Sequence, residues 1–180
     1  MRTPERPFLV AAIVLGVLAG PSAGPAGAGD DLEYGVKAVY LVRFAAFVEW
    51  PAAARRGADA PVGLCVIGQD PFGPRLDAAA RGQRAHGRPL VVRRLAGPAP
   101  LDACDIVYVG RGAEPMLREA GDPSGRLIVT DAAASSRRGM IHFVVAEGRV
   151  RFHIDLRAAS GAGLTISSRL LNLALSVQRR

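Results

Sequence analysis

Lysine is almost missing from this chain. Lys37 is the only one, so arginine supplies the rest of the 23 cationic side chains. Aromatic residues are few, at 6% of the composition with a single Trp. The basic residues are scattered, with neither the aromatic interleaving nor the continuous basic stripe of a nucleic-acid interface, so no nucleic-acid partner is expected. No apolar run reaches the roughly 20 residues of a membrane-spanning helix. Neither a GxGxxG nor a Walker pattern is present. Ser135, Ser136, Ser160, Ser167 and Ser168 stand in no GxSxG elbow, and acids such as Asp105 and Asp131 sit at strand ends with no histidine to serve. These absences leave no nameable catalytic residue and no expected cofactor. Internal repeats and low-complexity tracts are also lacking.

The N-terminus is distinctive. Arg2 and Arg6 precede the apolar run from Phe8 to Ala19, followed by Gly20, Pro21 and the small residues Ala26, Gly27 and Ala28. This is the order of an export signal, with cleavage expected after Ala28. Its removal takes away two arginines and one glutamate, which lowers the net charge of +7 by one, and leaves residues 29–180 as a single domain.

Export also bears on the cysteines. Cys65 and Cys104 each open an apolar, strand-like run, and outside the cytoplasm such a pair is expected to be oxidised. The bridge would close a loop of about 40 residues, worth roughly 4 kcal/mol in the chain-entropy model. Two buried free thiols are the alternative.

Between these landmarks the periodicity alternates. Leu32, Val36, Val39, Tyr40, Phe44 and Phe47 recur at helical spacing from Asp31 to Glu49, ahead of Trp50-Pro51. Strands are predicted over Val62 to Ile67, Pro89 to Leu95, Cys104 to Val109 and Arg126 to Thr130, with short helices over Phe72 to Ala80 and Glu114 to Ala120. Asp70, after the first of these strands, reads as a helix cap in a tight turn. Gly82 to Gly87 reads as a polar connection. Met140 to Ala146 and Arg149 to Leu156 flank Glu147-Gly148, a two-residue hairpin turn. That turn pairs Ile141 with Ile154, His142 with His153, Phe143 with Phe152 and Val145 with Val150. One face of the hairpin is then apolar, and His142, Val144, Arg149, Arg151 and His153 occupy the other, toward solvent or a second surface. Leu164, Ile166, Leu170, Leu171, Leu173, Ala174 and Val177 suggest a terminal helix. The whole reads as an α/β fold: a mixed, largely parallel sheet flanked by helices in a three-layer, Rossmann-like arrangement, with a C-terminal hairpin and terminal helix.

Two places invite a binding site. His142 and His153 face each other with Asp155 nearby, but no further ligand completes a metal site. The strand ends near Gly68 and Gly110 mark the crevice where an α/β sheet could hold a small ligand, the role of a periplasmic sensor or carrier.

The order of motifs carries more than any one of them. Lys37-Ala38-Val39-Tyr40-Leu41-Val42-Arg43-Phe44, closing in Glu49-Trp50-Pro51, is followed by Leu64-Cys65-Val66-Ile67-Gly68-Gln69-Asp70-Pro71-Phe72 and Cys104-Asp105-Ile106-Val107-Tyr108. Then come Ile128-Val129-Thr130-Asp131, Gly139-Met140-Ile141, Val150-Arg151-Phe152-His153-Ile154-Asp155 and Ala162-Gly163-Leu164-Thr165-Ile166-Ser167-Ser168-Arg169-Leu170-Leu171. This series resembles the YfiR family of exported bacterial proteins over nearly the whole segment after Ala28. The resemblance implies a periplasmic, often homodimeric α/β protein without catalysis. Such a protein binds the periplasmic sensor region of an inner-membrane diguanylate cyclase and represses it, lowering cyclic-di-GMP and biofilm formation. It also implies a structural Cys65–Cys104 disulfide. Arg149, Arg151, His142 and His153 on the hairpin are the candidate binding residues. A second cysteine pair found in some relatives is absent, and His153 stands where the family pattern suggests an acid.

Overall fold

A computed structural model describes residues 28–54, 57, 59–97, 99–119 and 124–179. The expected leader lies outside them except for Ala28, and so does Ala120. The described chain opens on α1 (Ala28–Phe47), whose first turn carries Asp30 and Asp31 at the positive end of the helix dipole. After β1 (Val48–Glu49) come β2 (Val62–Ile67), α2 (Pro74–Ala80), β3 (Arg84–Ala85), β4 (Arg88–Leu95) and β5 (Ile106–Val109). The second half holds α3 (Glu114–Glu119), β6 (Leu127–Asp131), β7 (Ile141–Ala146), β8 (Arg149–Asp155), α4 (Leu156–Gly161), β9 (Thr165–Ile166), α5 (Ser168–Leu171) and β10 (Ser176–Gln178).

Eight strands form one sheet in the order β10-β8-β7-β6-β5-β2-β4-β3, and β1 pairs with β9 in a separate two-stranded ribbon. The run β4-β2-β5-β6-β7 is parallel throughout. Parallel strands need crossovers that cover both faces, and β2, β5 and β6 are buried along their whole length. This is the largely parallel α/β sheet, flanked by helices, that the sequence implies.

Cys65 in β2 and Cys104, just ahead of β5, form a disulfide with Cα atoms 5.6 Å apart. It clips two neighbouring central strands, which pair Leu64 with Ile106. The two-thiol alternative therefore falls.

The hairpin register agrees residue for residue, from Ile141 with Ile154 to Val145 with Val150. Glu147 and Gly148 both take left-handed backbone angles, φ 53° and 68°. That is the primed turn whose twist matches the strands, and Gly148 occupies it without a Cβ penalty.

Three expectations give way. The segment read as a polar connection contains β3, which pairs with β4. Asp70 does not cap α2, because the capping position is Gly73 and no side chain serves there. Its carboxylate instead accepts from the Phe72 N–H at 2.8 Å and from Arg94 Nε at 2.6 Å, pinning the turn to β4. The terminal helix is absent: α5 makes a single turn between β9 and β10. Alternation explains this, since Leu164 and Ile166 are buried while Thr165 between them is exposed, and Ser176, Val177 and Gln178 pair in parallel with His153, Ile154 and Asp155. Chain entering an available sheet edge gains ladder hydrogen bonds that override a mixed apolar spacing.

Candidate interaction surface

The surface is made by α1 and the hairpin it packs on. Tyr40 and Phe44 of α1 stack among Phe143 of β7 and Phe152 of β8, with ring centroids 5.3 to 6.2 Å apart. Ala38, Leu41, Val42 and Ala45 complete the buried side of the helix. Leu32, Val36 and Val39, three of the apolar residues at helical spacing, are exposed, Leu32 to 72%. The helix thus carries two apolar faces, and the core claims the one containing the small residues Ala38 and Ala45, which permit close approach.

The outward stripe meets other exposed apolar groups. Val145 at the hairpin tip is 53% exposed and Leu173 after α5 is 55% exposed. Together with Leu32, Val36, Tyr40 and Val150 they line a groove of about 720 Å³ between α1 and β8, rimmed by Arg149 and Arg151. A second hollow of about 480 Å³ shares Leu32, Val36 and Tyr40 and extends the apolar face around the helix to Val39 and Arg43. Of the large hydrophobic residues exposed among the described residues, only Leu175 lies outside these two hollows. Contiguous apolar exposure of this kind marks an interaction site far better than scattered leucines do.

One side of the groove is a strand edge. β10 pairs only with His153, Ile154 and Asp155, so the stretch from Arg149 to Arg151 has no further strand beside it among the described residues.

Beneath α1 lies an ion-pair network. Lys37 is fully buried. Its ammonium donates to Glu33 Oε1 and, at 2.5 Å, to Asp131 Oδ2 at the end of β6. It also lies 4.6 Å from the centre of the Tyr34 ring. The Tyr108 hydroxyl donates to the same Asp131 oxygen at 3.4 Å. Burial pushes the Lys37 ammonium down, but the hydrogen bonds and charges of Asp131 and Glu33 outweigh it and hold its pKa above the ordinary value. Burial pushes the Tyr108 hydroxyl far up, with the Asp131 charge adding to it. The network fixes the N-terminal half of α1 over the strand ends, and with it the position of Leu32 and Val36. Lys37 stands out as the chain's only lysine, yet helical spacing alone could not place its partner on β6, 94 residues away.

The four hairpin residues separate into two groups. Arg149 and Arg151 line the groove. His142 and His153 face each other nearer the hairpin base, beside a small hollow of about 50 Å³ with Arg138 and Asp155. Of the two outcomes expected for this hairpin face, solvent or a second surface, His142 takes the second: it is 5% exposed, with Nδ1 2.8 Å from Thr130 Oγ1. That hydroxyl already accepts the Gly139 N–H at 2.7 Å, so its proton is free for His142 Nδ1. Burial, reinforced by Arg138, lowers the pKa of both histidines. His153 Nδ1 contacts Ser176 Oγ at 2.6 Å, tying β8 to β10. No group of three potential metal ligands occurs among the described residues.

At the strand-end crevice the backbones of the loops after β2 and β5 meet. The Gln69 N–H donates to the Arg111 carbonyl at 3.1 Å, and a Cβ on Gly110 would fall 2.1 Å from the Gln69 carbonyl oxygen. Glycine is required there because the loops after β2 and β5 touch. An adjoining hollow of about 290 Å³ lies under the first turns of α1, bordered by Tyr34, Gln69 and Arg111.

No helix among the described residues is long and apolar enough to cross a membrane. No curated protein matches the chain. A family model described as YfiR/HmsC-like matches residues 34–175, a span from Tyr34 beside Lys37 to the chain entering β10. The chain therefore belongs to the YfiR/HmsC-like family.

Proposed function

We propose that this protein is a periplasmic regulator that binds the periplasmic sensor region of an inner-membrane diguanylate cyclase and holds the enzyme inactive, lowering cyclic-di-GMP and biofilm formation. Export after removal of residues 1–28, with residues 29–180 acting as one domain, belongs to this reading. Family membership supports the regulatory role. The disulfide suits an oxidising compartment.

The observation that carries the reading is the concentration of exposed apolar side chains along α1 and the hairpin tip, with Arg149 and Arg151 at the rim. A protein that acts by contact needs such a face, and its regulatory effect comes from binding one receptor state more tightly than the other. Moving a receptor between about 1% and 99% active takes roughly 5.5 kcal/mol of differential affinity, within the reach of an ordinary interface.

Deleting the gene in the host bacterium and measuring cyclic-di-GMP tests the proposal. Deletion is expected to raise the nucleotide, wild-type protein to restore it, and a Leu32→Glu/Val36→Glu variant with unchanged melting temperature to fail. Unchanged cyclic-di-GMP after deletion would remove the proposal.

A further inference from the structure

We infer that the groove between α1 and the open edge of β8 receives a segment of a partner protein with apolar anchors flanked by carboxylates. This rests on the regulatory reading above and specifies the chemistry of the partner's contact segment.

The charge balance of the groove carries the inference. The acids that line the two hollows are already engaged: Glu33 shares the buried Lys37 with Asp131, and Asp31 pairs with Arg75 at 2.5 Å. The cations are not. Arg43, Arg149 and Arg151 have no carboxylate partner among the described residues, and they stand at both ends of the apolar face. An occupant therefore meets a greasy floor with unspent guanidinium groups around it. Guanidinium forks bind carboxylates through paired, charge-assisted hydrogen bonds, which fix the register of a docked segment as well as attract it.

Shape and charge also separate the possible occupants. A second copy of this chain would bring the same cationic rim against itself, which disfavours self-pairing on this face. An anionic bilayer offers the right charge but a broad plane, whereas the hollow of about 720 Å³ lies between a helix and a strand edge and takes a narrow, protruding segment.

Two synthetic peptides provide the test. Both carry leucines at positions i, i+3, i+4 and i+7; one is flanked by glutamates and its twin by lysines. Binding to protein purified from the periplasm is followed by fluorescence anisotropy at low and high salt, beside phosphatidylglycerol vesicles. The acidic peptide is expected to bind at least about tenfold more tightly than its twin, a difference of about 1.4 kcal/mol. That preference should shrink with salt and disappear in Arg149→Glu/Arg151→Glu. Equal binding of the two peptides overturns the inference. So does binding to vesicles but to neither peptide, or a wild-type dimer that Val36→Glu dissociates. Should the acidic peptide fail while gene deletion still raises cyclic-di-GMP, the inference falls alone. Should the peptide behave as expected while deletion changes nothing, the regulatory reading falls alone.

Discussion

Lys37 shows how one side chain can hold a whole surface in place. Its ammonium and the Asp131 carboxylate are both 1% exposed at the side chain, so without Lys37 the carboxylate would be a lone buried charge. Removing one member of such a pair costs about 3–5 kcal/mol. Lys37→Ala is therefore expected to lower the urea midpoint by that equivalent, and Lys37→Met/Asp131→Asn, which leaves only the partly exposed Glu33 without its partner, by clearly less. His142 gives a pH signature. Its folded pKa lies below the ordinary 6.5 because of burial and then Arg138. Below that pH the unfolded chain binds more protons than the folded one, so this stability is present above 6.5 and drains as pH falls through it toward the lower folded value. Melting temperature should decline as pH falls below 6.5, and decline less steeply in His142→Gln. An equal slope in the two proteins would refute that account.

Among the elements, α1 departs most instructively from its pattern. Helical periodicity located it and its stop before Trp50-Pro51, but it could not say which of two apolar faces would meet the sheet. Phe143 and Phe152 settled that by enclosing Tyr40 and Phe44. The outward residues then contribute little to folding, so Val36→Ser/Val39→Ser should shift unfolding free energy by about 0.5 kcal/mol or less per site in chemical denaturation. A loss of several kcal/mol would mean that the stripe is packed, and the groove would lose its free wall. The hairpin lies at the opposite extreme, because a two-residue turn and a strict alternation fix its register locally. The C-terminal segment failed for the opposite reason. Its mixed spacing was decided by strand edges offered by β1 and β8, which no local pattern reveals.

For the whole molecule, the bridge between Cys65 and Cys104 ties together two strands at the centre of the parallel sheet, 39 residues apart in sequence. Reduction, or a Cys65→Ala/Cys104→Ala variant, is expected to cost roughly 4 kcal/mol while leaving the fold intact at moderate temperature, as read by urea unfolding with and without reductant. An unshifted midpoint would show that the closed loop is already compact in the unfolded chain.

The chain by itself determined its class of fold, the positions of its central strands, the hairpin register and, through an ordered series of motifs, its family. All of these depend on short-range periodicity, turn chemistry and residue identity. Only the tertiary structure decided that Leu32, Val36 and Val39 face outward, that His142 is sealed against Thr130 while Arg149 and Arg151 border a groove, and that Lys37 meets Asp131. Which face an element buries, and which distant charge answers a buried one, depends on neighbours that arrive from elsewhere in the chain as it packs.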